Sequence, residues 1–231
     1  MPPKTVWLDE PGVAVRLTHN ARARRFTLRL ETGGDGAVLT MPPGTSDRSA
    51  RAFLHRHRDW LRRALALRPA RVAVAVGAHL PVDGVPLEVV SHPGRSVALD
   101  RGCLAVPAAK APGSAIATFL KRRARQRIAP QAEGYAALLG RPVAGISFRD
   151  TRSRWGSCSS SRRLSFSWRL AMAPPEVQTY LAAHEAAHLV EMNHGPRFWA
   201  LLEDLMPDHA EPRAWLRREG RGLHRYRFET D

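Results

Sequence analysis

Lysine, cysteine and long apolar runs are all scarce in this chain of 231 residues, and each scarcity excludes something. Two cysteines, Cys103 and Cys158, cannot build a disulfide framework, which agrees with a reducing compartment. No apolar run approaches the ~20 residues that a bilayer crossing needs, so no membrane partner is expected. The first ten residues lack the apolar stretch of a secretory signal, and the expectation is a soluble, cytoplasmic protein. Internal repeats and low-complexity tracts are missing as well. With 44% hydrophobic and 25% charged residues, the composition is globular rather than disordered or fibrous.

Charge of one sign is in excess. Lys and Arg number 36 against 21 acidic residues, for a net charge of +15. Only Lys4, Lys110 and Lys121 are lysines, so the remainder is arginine. Such an excess allows a DNA or other polyanion partner through phosphate neutralisation. The arginines occur in every segment, however, which equally describes a compositional preference spread over solvated faces.

The patterning predicts an α+β chain with a small β-rich N-terminal region, residues 1–107, carrying one amphipathic helix over 46–67. Val13, Val15 and Leu17 alternate with polar residues, as do Phe26, Leu28 and Leu30, and an apolar run covers 37–41. Turn chemistry fills 18–25 and 32–36. Thr45 or Ser46 can cap the helix, along which Ala50, Phe53, Leu54, His57, Trp60, Leu61, Ala64 and Leu65 recur at helical spacing. His55 and His57 are two apart and do not share a helix face, which makes them surface and core residues rather than ligands. Strands follow over 72–76, 87–90, 97–99 and 104–106, punctuated by Gly77, Asp83-Gly84, Pro93-Gly94 and Arg101-Gly102.

Residues 108–231 read as a second domain. A helix runs from about Ser114 to Gly140, and Pro130 is expected to kink or interrupt it. Ile146 and Phe148 suggest a strand leading into Trp155-Gly156-Ser157-Cys158. Leu164, Phe166, Trp168 and Leu170 then alternate with polar residues, a half-buried strand paired with its predecessor in a hairpin. Pro174, Pro175 and Glu176 open the next helix.

That helix carries His184-Glu185-Ala186-Ala187-His188. At ~100° per residue the two histidines are displaced by only ~40° and stack one turn apart. Two neutral imidazoles on one face form a bidentate site for a borderline ion such as zinc. Glu185 falls ~60° round from His188, badly placed as a ligand but well placed to take a proton from water. A catalytic zinc commonly has three protein ligands. His194 is the favoured third, because Met192-Asn193-His194-Gly195-Pro196 lets the chain leave the helix before a new one starts through Phe198 and Trp199. Glu203 and Asp208 are rival third ligands, the pattern of zincins with a carboxylate on a second helix. The spacing of His194 equals that of metzincins, but Glu191 stands where their glycine would be, and Met206-Pro207 is a poor substitute for their methionine turn. The apolar neighbours of the motif argue for buried histidines, which need partners.

Arg154-Trp-Gly-Ser-Cys158, Leu164-Ser-Phe-Ser-Trp168, the HExxH segment and Asn193-His-Gly-Pro-Arg-Phe-Trp199 resemble the YgjP-like metallopeptidases, a branch of the zincins. The resemblance extends from about Arg24 to Gly220 and is strongest over 146–208. It implies a zincin-like metallopeptidase domain with a β-hairpin and an active-site helix. It further implies one Zn²⁺ held by His184, His188 and His194, Glu185 as general base, and a protein or peptide substrate. The same spacing followed by Phe-Trp is similar to WLM-type proteases, which digest proteins crosslinked to DNA. Gly195 departs from the usual serine helix cap, and Ala186 from a larger apolar residue.

Weaker signals surround the motif. An extended substrate could pair with the hairpin near Trp155 and Gly156, although Phe166 and Trp168 read more simply as core. Cys158 reads as structural rather than as a ligand. His209, Arg213, His224 and Tyr226 could each stabilise an oxyanion, with nothing in the sequence to orient them. A different class of protein, a zinc-stabilised nucleic-acid-binding module, would have no use for the carboxylate of Glu185.

Overall fold

Period-two alternation puts Val13, Val15 and Leu17 on one face of a strand, and all three are buried. A computed structural model describes residues 4–31 and 35–228 and shows what that face packs against. Strands β1 (Thr5–Leu8), β2 (Val13–His19), β3 (Thr27–Leu30) and β4 (Ala37–Met41) form one sheet in the order β1-β2-β4-β3. The central pair β2 and β4 is parallel, and both outer pairs are antiparallel. Thr32, Gly33 and Gly34 of the expected turn over 32–36 lie outside the described residues.

The helix expected over 46–67 is two helices, α1 (Asp47–Arg56) and α2 (Arg58–Ala66). His57 interrupts them with φ −105° and ψ 12°, its ring stacked on Phe53 and its Nδ1 2.8 Å from the Phe53 carbonyl oxygen. That local bond competes with the helical ladder, and periodicity alone does not reveal it. Ser46 caps α1, its Oγ accepting from the Ser49 amide at 3.2 Å. Ala50, Leu54 and Leu61 join Val15 and Leu39 in the core of this part.

The chain divides into two compact units, residues 1–70 and 71–231. The boundary read from the sequence at 107/108 therefore falls inside the second unit. Strands β5 (Val72–Ala73), β6 (His79–Val82), β7 (Val85–His92), β8 (Ala98–Asp100) and β9 (Cys103–Pro107) send Leu80, Val89, Leu104 and Val106 into one core with Ile116 and Leu120. Those two side chains belong to α3 (Pro112–Leu138), and a strand run says nothing about which helix will cover it. The sheet order is β6-β7-β9-β8. β6 was not anticipated, since Pro81 weakens the strand signal.

Helix α3 is continuous through Pro130 rather than broken there. Proline removes one internal bond, but Ile128 and Ala132 on either side are fully buried, and tertiary packing holds the register. Strands β10 (Gly145–Arg149), β11 (Gly156–Cys158) and β12 (Arg163–Ser167) form a second sheet, with β12 central, β11 antiparallel to it as expected and β10 parallel. β12 ends earlier than its alternation suggests, and Trp168–Met172 is a 3₁₀ turn. Arg169 turns inward there, binding Asp150 and the carbonyls of Leu223 and Tyr226 at 3.1 and 3.0 Å.

The helix that carries the motif is α4 (Pro175–Ala187), followed by α5 (Pro196–Leu205), α6 (Ala210–Arg218) and β13 (Tyr226–Arg227), which pairs with β5. α3 packs along α4. The β6–β7 turn, Asp83-Gly84, has φ 49° and 82°, the two positive values of a type I′ turn. Its carboxylate accepts from Arg123 of α3 and, at 3.0 Å, from Gln178 of α4, so one hairpin tip fixes both helices. Small separate sheets with helices packed on them make this a mixed, α+β arrangement. Among the described residues no helix is long and apolar enough to cross a membrane.

Candidate metal centre

Alanine makes the centre possible. α4 is buried on almost every side through Ala182, Ala183, Ala186 and Ala187, which let neighbouring elements approach the backbone closely. The helix presents His184 and ends at Ala187, with His188 as its C-cap. Asn193 and Gly195 then return the chain, and Trp199 donates from Nε1 to the His194 carbonyl at 3.1 Å, fixing the third histidine against α5. The helix break inferred from the sequence is present at this point.

His184, His188 and His194 each offer a ring nitrogen within 4.8 Å of the others. Among the described residues they are the group of His, Cys, Asp and Glu side chains close enough to hold an ion. The rival third ligands lie elsewhere. Glu203 is 3.0 Å from His209 Nδ1, and Asp208 is exposed outside the cluster. Phe198, fully buried, touches all three imidazoles, with ring centroids at 4.9, 4.5 and 4.7 Å.

Protonation favours ligation. The Glu191 carbonyl 2.9 Å from His188 Nδ1 can only accept, so that nitrogen carries the hydrogen and Nε2 keeps its lone pair. Nε2 of His184 faces Nε2 of His194 at 3.0 Å, and Nδ1 of His184 points to the Tyr180 hydroxyl at 3.4 Å. Burial pushes His184 down to about 3, helped by the charges of His188, His194, Arg213 and His209. Burial also lowers His188, against the opposing bond to Glu191. Rings so depressed are neutral at pH 7, the form that binds a cation.

Glu185 is 4% exposed and its Oε2 has no hydrogen-bond partner. Burial pushes its carboxyl up to about 8, with Arg154 pulling the other way. Gly156 on β11 makes room for it: a Cβ there would stand 2.3 Å from Glu185 Oε1. The sequence places Gly156 in the hairpin that could receive substrate but does not pair it with Glu185, although a glycine inside a strand signals a close approach. β11 is an edge of its sheet, so the carboxylate lies beside a strand edge.

Cys158 hydrogen-bonds the Ser159 carbonyl, and burial with the Glu185 charge pushes its thiol up to about 11, away from thiolate chemistry. Phe166 and Trp168 are buried core, while Trp155 is half-buried with His224 stacked on it at 4.9 Å.

Residues 24–219 match a family model described as YgjP-like, metallopeptidase domain. No curated protein matches the chain. Among solved structures it is similar to the metallopeptidase zymogen abylysin of Pyrococcus abyssi, at 18% identity and a TM-score of 0.35. That likeness covers 40% of this chain and 92% of the other.

Proposed function

Because the chain belongs to the YgjP-like metallopeptidase family, we propose that it hydrolyses peptide bonds with one zinc ion held by His184, His188 and His194 and with Glu185 as general base. A metallopeptidase acts on a protein or peptide. The supporting observation is the pairing of three clustered imidazoles with a buried carboxylate whose Oε2 lacks a partner.

Zinc is the ion that three imidazoles suit, and when bound it would polarise the scissile carbonyl, acidify a water and favour ionised Glu185. The chain's own residues supply the rest. Glu185 takes the proton of the attacking water and delivers one to the leaving amine. Phe198 and the alanines of α4 keep water from the back of the site. The Glu191 carbonyl holds the His188 tautomer, and the Trp199 indole holds the turn bearing His194. The edge of β11 receives an extended substrate by strand addition, with Gly156 keeping that edge close to Glu185.

Metal analysis and turnover of an unfolded protein substrate test this reading. The wild type should carry one zinc per chain, His194→Ala should lose it and Asp208→Ala should keep it. Glu185→Gln should retain zinc while turnover drops by about 10²–10⁴-fold. Zinc loss in the Asp208 variant alone, or undiminished turnover without Glu185, would refute the assignment.

A further inference from the structure

Of the four side chains that could answer a developing negative charge, one is set beside a carboxylate and two are buried. His209 faces Glu203 at 3.0 Å, His224 is buried against Trp155, and Tyr226 is buried in β13. Arg213, on α6, is different. Its guanidinium lies over the Trp199 ring, 4.0 Å from the centroid, and Trp199 is the residue that pins His194. The Trp199 ring is 5.8 Å from that of His194 and 6.4 Å from that of His184. Arg213 is thus packed against the wall of the histidine cluster, and its charge acts on both Tyr180 and His184.

No carboxylate pairs with Arg213 among the described residues. On the same helix Arg218 has Glu211 and Glu219, and elsewhere Arg169 has Asp150. A half-buried cation held flat on an indole, beside imidazoles that gather a second cation, is electrostatically uncompensated. An anion formed in the reaction would compensate it.

Resting on the peptidase reading above, we propose that Arg213 is a catalytic residue whose guanidinium donates to the oxyanion formed on the scissile carbonyl. As the water oxygen bonds to the carbonyl carbon, the C=O π pair moves onto oxygen, to which Arg213 N–H groups donate, and the water proton passes to Glu185. On collapse that pair re-forms C=O, the C–N bond breaks, and Glu185 returns the proton to the leaving nitrogen. Peptide and water give acid and amine, with no further reactant. Tyr180, 3.4 Å from His184 Nδ1, orients the ring rather than the substrate.

The test uses the zinc-loaded full chain with Arg213→Met, which keeps an apolar layer on Trp199, and Arg213→Lys, which keeps the charge. Zinc per chain should stay at the wild-type value in both. For Arg213→Met, kcat should fall by about 10²–10³-fold with KM nearly unchanged, and a phosphinic pseudopeptide should bind more weakly by a similar factor. Arg213→Lys should recover at least about tenfold of that loss, the charge being retained. Unchanged kcat, loss of zinc, or a defect confined to KM for peptides with a free C-terminal carboxylate each overturns the proposal. Should the wild type cleave nothing, the peptidase reading fails by itself. Arg213 is then read separately, from phenylphosphonate binding to the metal-free chain. Weaker binding by Arg213→Met supports an anion site, and equal binding overturns it.

Discussion

Glu185 and Gly156 occupy each other's space, and only the absence of a side chain on Gly156 allows it. A methyl group there would sit 2.3 Å from Oε1 and 2.7 Å from Cγ of a carboxylate that is 4% exposed. Neither side can yield freely, because the glutamate is packed and β11 is hydrogen-bonded to β12. Gly156→Ala should therefore reduce kcat by about 10–100-fold through displacement of the proposed base Glu185, since ångström-scale misplacement costs about that much. Zinc content should be unchanged, because the three atoms nearest the added methyl group all belong to Glu185. Metal analysis beside steady-state kinetics checks both halves, and a Gly156→Ala enzyme with full turnover would contradict the contact.

At the scale of elements, the motif helix is held by a turn. Asp83 reaches Arg123 on α3 and Gln178 on α4, with Arg127 at 3.6 Å, and its side chain is 14% exposed. Removing the carboxylate leaves the partly buried Arg123 and Arg127 without their acceptor and the fully buried Gln178 amide with the Ala173 carbonyl alone, the costly half of breaking such a contact. Asp83→Ala should lower stability by about 2–4 kcal/mol in urea denaturation. Saturating zinc should still fill the site, since the histidines lie at the other end of α4. A change below about 0.5 kcal/mol would mean that the turn does not anchor the helices.

For the whole molecule, the two compact units set where the chain can be cut. Each has its own core, with Leu39 and Leu54 in one and Leu80, Val89 and Leu104 in the other. A fragment covering 71–231 should fold and take up zinc. A fragment covering 108–231 loses Leu80, Val82, Val89, Leu104 and Val106 from the core around α3 and should not fold cooperatively. Thermal melts of the two fragments, with and without zinc, decide between the divisions at 70/71 and 107/108. A cooperative, zinc-dependent melt of the shorter fragment would favour the sequence-based boundary.

The HExxH pair, the break before His194 and the hairpin partner of β12 were legible in the amino-acid order, because each depends on residues within a few turns of one another. Helical period, proline and glycine act locally, and their consequences are read along the chain. The break at His57, the continuity through Pro130 and the short β12 were not legible. Each was decided by a bond or a buried neighbour that overrides local preference. The cradle of Gly156 around Glu185, the Phe198 ring shared by three imidazoles and the stacking of Arg213 on Trp199 arise only when separate elements pack. Covalent spacing therefore specified the three histidines that come together, while their surroundings came from tertiary contacts, whose partners no spacing rule connects.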